Sequence, residues 1–183
     1  DQNGHGTHVA GIAGARDNGI GVVGISAGAK LVPVKAIDDI GNTSFSLVLA
    51  AMNHVAQYSI LGDAVNMSLG GFMPDCGVIS YPALPTAIVN LANAGVWISL
   101  AAGNDNNNAT MYLPGCINSS RVFTVEAFDW NTSCAAYSNL GSNIDWYAIG
   151  TNVFCTYKDG GYAILSGTSM AAPVVAGITH SRG

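Results

Sequence analysis

Charge is scarce in this sequence. Only 9% of its 183 residues are charged, whereas an ordinary soluble domain carries about 25%. The 6 Lys and Arg residues and the formal net charge of −5 exclude the basic surface by which proteins bind nucleic acid. No apolar run reaches the roughly 20 residues that a membrane helix needs, so we expect no membrane partner. With 49% hydrophobic residues, residues 1–183 are predicted to form a single monomeric domain with a large core.

Cysteine is also sparse, and its spacing is informative. The chain has 4 cysteines, at Cys76, Cys116, Cys134 and Cys155. None of them forms a CxxC pair, which argues against a structural zinc site. An even number fits an oxidising compartment with disulfides, while buried free thiols are the alternative. Counting alone does not select among the three pairings that four cysteines allow.

Short apolar stretches alternate with helical patterns along the chain. This alternation is typical of an α/β fold with a mostly parallel central sheet and helices on both faces. The chain opens without a starting Met and stops just beyond a predicted helix, so we expect an incomplete domain truncated at both ends. Strands are predicted at residues 31–37, 64–68, 96–102 and 122–127, and helices at residues 44–58 and 85–94.

Two further segments, residues 8–15 and 170–178, consist almost entirely of small or apolar side chains. We predict that both are central helices, because glycine-rich helices depend on close burial rather than on intrinsic propensity. Each has a reactive side chain at its entrance, His5 for the first and Ser169 for the second. A serine at a helix N-terminus lies at the positive end of the helix dipole, which favours an alkoxide and a neighbouring oxyanion.

Three separated motifs resemble those of the subtilisin-like serine peptidases (subtilases), and they occur in the order of that family. They are NGHGTHVAG at residues 3–11, AAGN at residues 101–104 and GTSMAAP at residues 167–173. The resemblance implies that His5 is the general base, Ser169 the nucleophile and Asn104 an oxyanion donor. It also implies a secreted endopeptidase that acts on polypeptides and needs no cofactor for catalysis.

The resemblance further implies a substrate-binding cleft. The two sides of the cleft would form the walls of the S1 pocket, which holds the substrate side chain before the scissile bond. One wall would be Ser68, Leu69, Gly70 and Gly71, and the other Ala101, Ala102 and Gly103. Glycine leaves backbone groups open for pairing with a substrate strand. Cys76 follows one wall and Cys116 the other, so a disulfide between them would brace the pocket. Tyr112 is a candidate to border it.

One departure from the family concerns the catalytic aspartate, which in subtilases lies on a strand upstream of the histidine motif. This chain starts only four residues before His5, and Asp1 is too close to take that role. We therefore predict an incomplete triad and little or no peptidase activity for this polypeptide by itself. A non-catalytic peptide-binding module of the same fold is the alternative, and esterase or ligase activity would use the same groups.

The loop at residues 16–24 has two interpretations. It contains a GxGxxG pattern, but a helix precedes it where a dinucleotide site needs a strand, which argues against NAD. The loop also resembles the calcium loop of many subtilases. That resemblance implies Ca²⁺ as a structural ion, bound by oxygen atoms from the Asn18 side chain and from the carbonyls of Arg16, Ile20 and Val22.

Overall fold

A parallel sheet lies at the centre of the structure, a computed structural model that describes residues 1–182. Gly183, the last residue of the predicted domain, lies outside the described residues. In chain order the elements are α1 (His5–Gly14), α2 (Phe45–Tyr58), β1 (Ala64–Met67), β2 (Gly71–Phe72), α3 (Ala83–Asn93), β3 (Trp97–Ala101), β4 (Tyr112–Leu113), β5 (Val122–Phe128), β6 (Trp146–Ile149), β7 (Val153–Thr156), β8 (Tyr162–Leu165) and α4 (Thr168–Arg182).

The predicted α/β fold with a mostly parallel sheet is confirmed. Strands β1, β3, β5 and β6 form one parallel sheet in that spatial order. Strands β2 and β4 form a small antiparallel pair, and β7 and β8 form another. The predicted strands at 64–68, 96–102 and 122–127 agree with β1, β3 and β5 to within a residue or two at each end, which is the usual uncertainty of an element boundary.

The two faces of β3 show how the helices are distributed. Ile98 and Leu100 pack into the larger core cluster, which contains residues of α2 and α3. The intervening Ser99 donates its hydroxyl to the carbonyl of Ala172 in α4 at 2.7 Å, because neighbouring side chains of a strand point to opposite faces. Helices α2 and α3 therefore cover one face of the sheet and α4 covers the other.

The predicted strand at residues 31–37 is wrong. These residues form no strand and pair with no other segment within residues 1–182. Leu31 and Val32 are 45% and 69% exposed. A strand is stabilised by ladder hydrogen bonds and by burial against a neighbour, so apolar sequence without a partner does not suffice, and Pro33 removes one donor.

The central helices α1 and α4 are confirmed, and they pack against each other. A Cβ atom on Gly11 would collide with Thr156, and one on Gly177 would lie 2.7 Å from Cβ of Ile25. The helix predicted at residues 44–58 is confirmed as α2, and the Ser44 side chain caps its start by accepting the Leu47 N–H at 3.3 Å. None of the described helices combines the length and the apolar character needed to cross a bilayer.

The disulfide between Cys76 and Cys116 is confirmed. Their Cα atoms lie 5.8 Å apart, within the range that a disulfide spans. Cys134 is free and exposed, and Cys155 is free and buried. The bridge joins the segments that follow β2 and β4, and both cysteines pack against the larger core cluster.

Candidate active site

Ser169 is the second residue of α4 and lies beside the loop that leaves β3. The link is Thr168, whose backbone N–H and hydroxyl both donate to Oδ1 of Asn104, at 2.8 and 3.0 Å. The same hydroxyl accepts the Gly103 N–H at 3.1 Å. Because Oδ1 of Asn104 accepts both bonds from Thr168, its amide nitrogen Nδ2 is directed away from Thr168.

The side chain of Asn104, the predicted oxyanion donor, and the backbone N–H of Ser169 border one small space. A Cβ atom built on Gly167 would lie 3.4 Å from Nδ2 of Asn104, 3.6 Å from Oδ1 of the same amide and 3.7 Å from the backbone nitrogen of Ser169. Gly167 has no side chain to fill that space. The helix dipole of α4 adds positive potential there, so the position suits a negatively charged oxygen.

His5 is the first residue of α1 and is half-buried. Gly4 precedes it in the left-handed region with φ of 97°, and the ring of Tyr157 packs on Gly4 where a side chain would stand. Asp1 caps this helix, because its carboxylate accepts the Gly4 N–H at 3.0 Å and the Thr7 N–H at 2.7 Å. The carboxylate of Asp1 is thus committed to the helix start.

The electrostatic surroundings of His5 favour its neutral form. Burial lowers the pKa of His5 below 6.5, and the charge of His8 lowers it further. The only salt bridge within residues 1–182 joins Lys35 and Asp39, so no carboxylate of these residues lies within 4.0 Å of the His5 ring nitrogens. In the described part of the chain the His5 ring has no hydrogen bond to Ser169, whose hydroxyl donates instead to the carbonyl of Ser68 at 3.5 Å.

His8 fixes α1 to the β7–β8 hairpin, a function that the sequence pattern did not indicate. Its side chain is fully buried. Its Nε2 lies 3.0 Å from the carbonyl of Val153 and 3.2 Å from that of Ala163, one on each strand of the hairpin. Both carbonyls are acceptors, so Nε2 carries the proton. Since β8 leads directly into α4, the hairpin connects the histidine helix to the serine helix.

The structure brings three of the predicted site residues together. Ser68 and Ser169 are hydrogen-bonded to each other, and Asn104 is hydrogen-bonded to Thr168, the residue before Ser169. His5 lies on the neighbouring helix, which packs against α4. Thr168 was missed as a functional candidate, although it precedes Ser169 in the GTSMAAP motif. Its contact with Asn104 spans 64 residues of sequence, and no local pattern shows such a contact.

The predicted cleft walls are joined by β4. A Cβ atom on Gly70 would lie 3.0 Å from the Leu113 carbonyl, and one on Gly103 would lie 3.5 Å from Cδ1 of Tyr112. The Tyr112 ring meets the Phe72 ring edge to face, with 5.5 Å between the ring centroids. The remaining wall residues differ in exposure: Gly71 and Leu69 are half-buried, and Ala101 and Ala102 are buried.

The loop at residues 16–24 offers oxygen atoms. The carbonyls of Arg16, Ile20 and Val22 accept no backbone hydrogen bond from the described residues, and Oδ1 of Asn18 accepts only the Ile20 N–H, at 3.3 Å. Within residues 1–182 no group of three His, Cys, Asp or Glu side chains could hold a metal. The chemistry of this oxygen set fits Ca²⁺ rather than a softer metal.

Comparison with known proteins gives consistent results. The family model described as the subtilase family matches residues 1–180. Proteinase T of Parengyodontium album is 39% identical over 97% of this chain and 58% of its own length. An extracellular serine proteinase of a Thermus species is 38% identical over 97% of this chain and 40% of its own length. The crystal structure of a cold-adapted subtilisin-like serine proteinase superposes with a TM-score of 0.88 and 35% identity, covering 100% of this chain and 62% of that one. The chain thus spans between 40% and 62% of the length of these relatives.

Proposed function

The chain belongs to the subtilase family, and on that premise we propose that it carries the nucleophile, the base and the oxyanion site of a serine endopeptidase. The observation that supports this most directly is the pair of hydrogen bonds from Thr168 to Oδ1 of Asn104. They leave Nδ2 of Asn104 beside the N–H of Ser169, at the positive end of α4. Two donors that border one space at a helix N-terminus are what a tetrahedral intermediate needs.

In the proposed reaction, Oγ of Ser169 attacks the carbonyl carbon of the scissile peptide bond. His5 accepts the Ser169 proton and then donates it to the leaving amine. The carbonyl oxygen becomes an oxyanion and is held by Nδ2 of Asn104 and the N–H of Ser169. Water then hydrolyses the acyl-enzyme with His5 again as base. The lowered pKa of His5 keeps the imidazole neutral near pH 7, which is the form that accepts a proton.

We propose that activity needs a carboxylate from outside these residues. A base that becomes a cation during the reaction is stabilised and oriented by a neighbouring acid, and none lies in contact with His5 within residues 1–182. In subtilisin, a member of this family, loss of the aspartate lowers kcat by about 3 × 10⁴. The whole protein would therefore hydrolyse polypeptides, and the 183-residue polypeptide would do so far more slowly.

A peptide-binding module without turnover is the second candidate. The observation that favours it is the Ser169 hydroxyl, which donates to the Ser68 carbonyl at 3.5 Å and not to His5. In that case the glycine-bearing edge at residues 68–71 would still pair with a peptide strand. The two candidates differ in whether Ser169 becomes a nucleophile.

Labelling with a serine-directed fluorophosphonate separates the two candidates. In the whole protein we expect covalent labelling at Ser169, located by peptide mass mapping. His5→Ala should abolish the labelling, whereas His54→Ala, a histidine on α2, should not change it. Peptide binding by calorimetry without labelling of Ser169 would establish the binding module instead.

We also propose that the protein is secreted and that Ca²⁺ stabilises the loop at residues 16–24. The disulfide and the extracellular relative support secretion, and the unpaired carbonyls of the loop support the cation. Millimolar Ca²⁺ should then raise the Tm, Mg²⁺ should raise it less, and Asn18→Ala should reduce the response to Ca²⁺.

A further inference from the structure

The carbonyl of Ser169 lacks its usual helical partner. In an α-helix each carbonyl accepts the N–H of the residue four positions later, which for Ser169 is Pro173. Proline has no N–H, and its ring crowds the carbonyl four residues before it. The carbonyl of the predicted nucleophile therefore has no i+4 hydrogen bond and is open to a donor from outside α4.

Ser68 supplies a hydrogen-bond donor for the Ser169 carbonyl. Its hydroxyl donates to the Ser169 carbonyl at 2.8 Å, from the segment that directly follows β1. Both residues are half-buried, and a carbonyl at such depth loses free energy when it has no donor. The hydrogen bond joins positions 101 residues apart in the sequence, so it ties the start of α4 to the end of β1.

The direction of the Ser68 hydroxyl is itself fixed. Nδ2 of Asn66 donates to Oγ of Ser68 at 2.9 Å, which occupies a lone pair of that oxygen and leaves its hydrogen for Ser169. Asn66 lies within β1 and is paired in register with Ser99 of β3. A side chain held by the central sheet thus orients the donor that meets the nucleophile's peptide unit.

We propose that Ser68 is a positioning residue for Ser169: it supplies the hydrogen bond that Pro173 cannot, and Asn66 orients it for that purpose. This inference rests on the proposed function. Ser68 also opens the predicted substrate-binding edge, and its own carbonyl lies 3.5 Å from Oγ of Ser169. One residue therefore sets the distance between the edge that holds the substrate backbone and the atom that attacks it. Loss of its hydroxyl should slow the chemical step more than it weakens substrate binding.

The test uses Ser68→Ala, Ser68→Thr and Asn66→Ala in the whole protein, with Ser181→Ala near the end of α4 as a matched control. Three quantities are measured: the rate constant for phosphonylation of Ser169 by a small fluorophosphonate, kcat and KM for a peptide substrate, and the Tm. We expect Ser68→Ala to lower the phosphonylation rate and kcat about tenfold, as loss of one hydrogen bond implies, with KM changed by less than about twofold. Ser68→Thr retains a hydroxyl and should stay within about threefold of the original rates.

A double variant probes the partnership with Pro173. Pro173→Ala restores an N–H at the position four residues after Ser169, so Ser68→Ala/Pro173→Ala should regain most of the activity that Ser68→Ala loses. If Ser68 only stabilised the fold in general, Pro173→Ala would not restore the activity that Ser68→Ala loses. Absence of recovery in a double variant with an unchanged Tm would refute the inference.

The remaining outcomes are separable. A raised KM with an unchanged phosphonylation rate in Ser68→Ala would assign Ser68 to substrate binding alone and overturn the inference. Equal losses in Ser68→Ala and Ser68→Thr would also overturn it. If the unmodified protein were not labelled at Ser169, the proposed function would fail and the inference with it. Labelling that Ser68→Ala leaves unchanged would remove only the inference.

Discussion

Thr168 binds Oδ1 of Asn104 with two donors, its backbone N–H at 2.8 Å and its hydroxyl at 3.0 Å. Two hydrogen bonds from one buried residue define which end of the amide faces the cleft. Without them the Asn104 side chain, which lies in an exposed loop, could rotate and exchange its donor for its acceptor. The orientation of the predicted oxyanion donor therefore depends on the residue just before the nucleophile.

Thr168→Val should weaken this orientation while keeping the shape of the side chain. One of two hydrogen bonds to Asn104 is lost, so we expect kcat to fall about tenfold with little change in KM. Steady-state kinetics on the whole protein would measure this. Thr179→Val, further along α4, is the matched control. A kcat that Thr168→Val leaves unchanged would contradict the role given to Thr168.

Asn104→Ala should have a larger effect because it removes the donor itself. In subtilisin, a member of this family, loss of the corresponding kind of donor lowers kcat by about 10²–10³, and we expect a loss of the same order here. The matched control is Asn106→Ala, in the same exposed loop. A change in KM alone would show that Asn104 binds substrate rather than the transition state.

The disulfide should contribute measurably to stability. Cys76 and Cys116 are 40 residues apart in the sequence, and closing a loop of that length restricts the unfolded chain. Replacing both by alanine is expected to lower the free energy of unfolding by about 2–4 kcal/mol, as measured by urea denaturation. Cys134→Ala removes an exposed free thiol and should leave the free energy of unfolding unchanged. Equal stability of the double variant and its parent would show that the bridge adds nothing.

Asp75 should make the fold sensitive to acid. Hydrogen bonds from the backbone N–H and the side chain of Ser80, and from the backbone N–H groups of Gly77 and Ile79, lower its pKa from 3.8 to about 2. The folded protein therefore holds the charged form more tightly than the unfolded chain does. Its stabilising contribution is complete above pH 3.8 and is lost as the pH falls towards 2. Asp75→Asn should lower the Tm at pH 6 and should make the Tm vary less with pH between about 2 and 3.8. Asp17→Asn should have neither effect.

The titration of His5 can be followed directly in the 183-residue polypeptide. Burial and the charge of His8 lower its pKa below 6.5, so proton NMR of the ring should show a midpoint below that of the same histidine in urea. His8→Phe removes the second cause and should move the midpoint upwards. A His5 midpoint above 6.5 would contradict the lowering that burial and the charge of His8 are expected to cause.

Local sequence patterns were sufficient wherever local forces decide the structure. The start of α2 could be predicted to within a residue, because a cap is a contact between near neighbours. The position of β3 could be predicted from a continuous apolar run. Residues 31–37 show the opposite case, since an extended apolar segment becomes a strand only when another strand pairs with it. In the candidate active site, too, some features follow from local sequence and others only from the fold. The orphan carbonyl of Ser169 follows from Pro173 alone, whereas its partner Ser68 lies 101 positions away and is brought there by the fold.

The close packing of two glycines, one on α1 and one on α4, limits how this sequence can change over time. Gly11 has no room for a methyl group beside Thr156, and Gly177 has none beside Ile25. A larger residue at either glycine would first require a smaller one at the facing position, so single substitutions are blocked in both places. Accepted changes at these two glycines must therefore arrive together with a change at the facing residue, and a library that varies one site at a time will find neither glycine tolerant of a larger side chain.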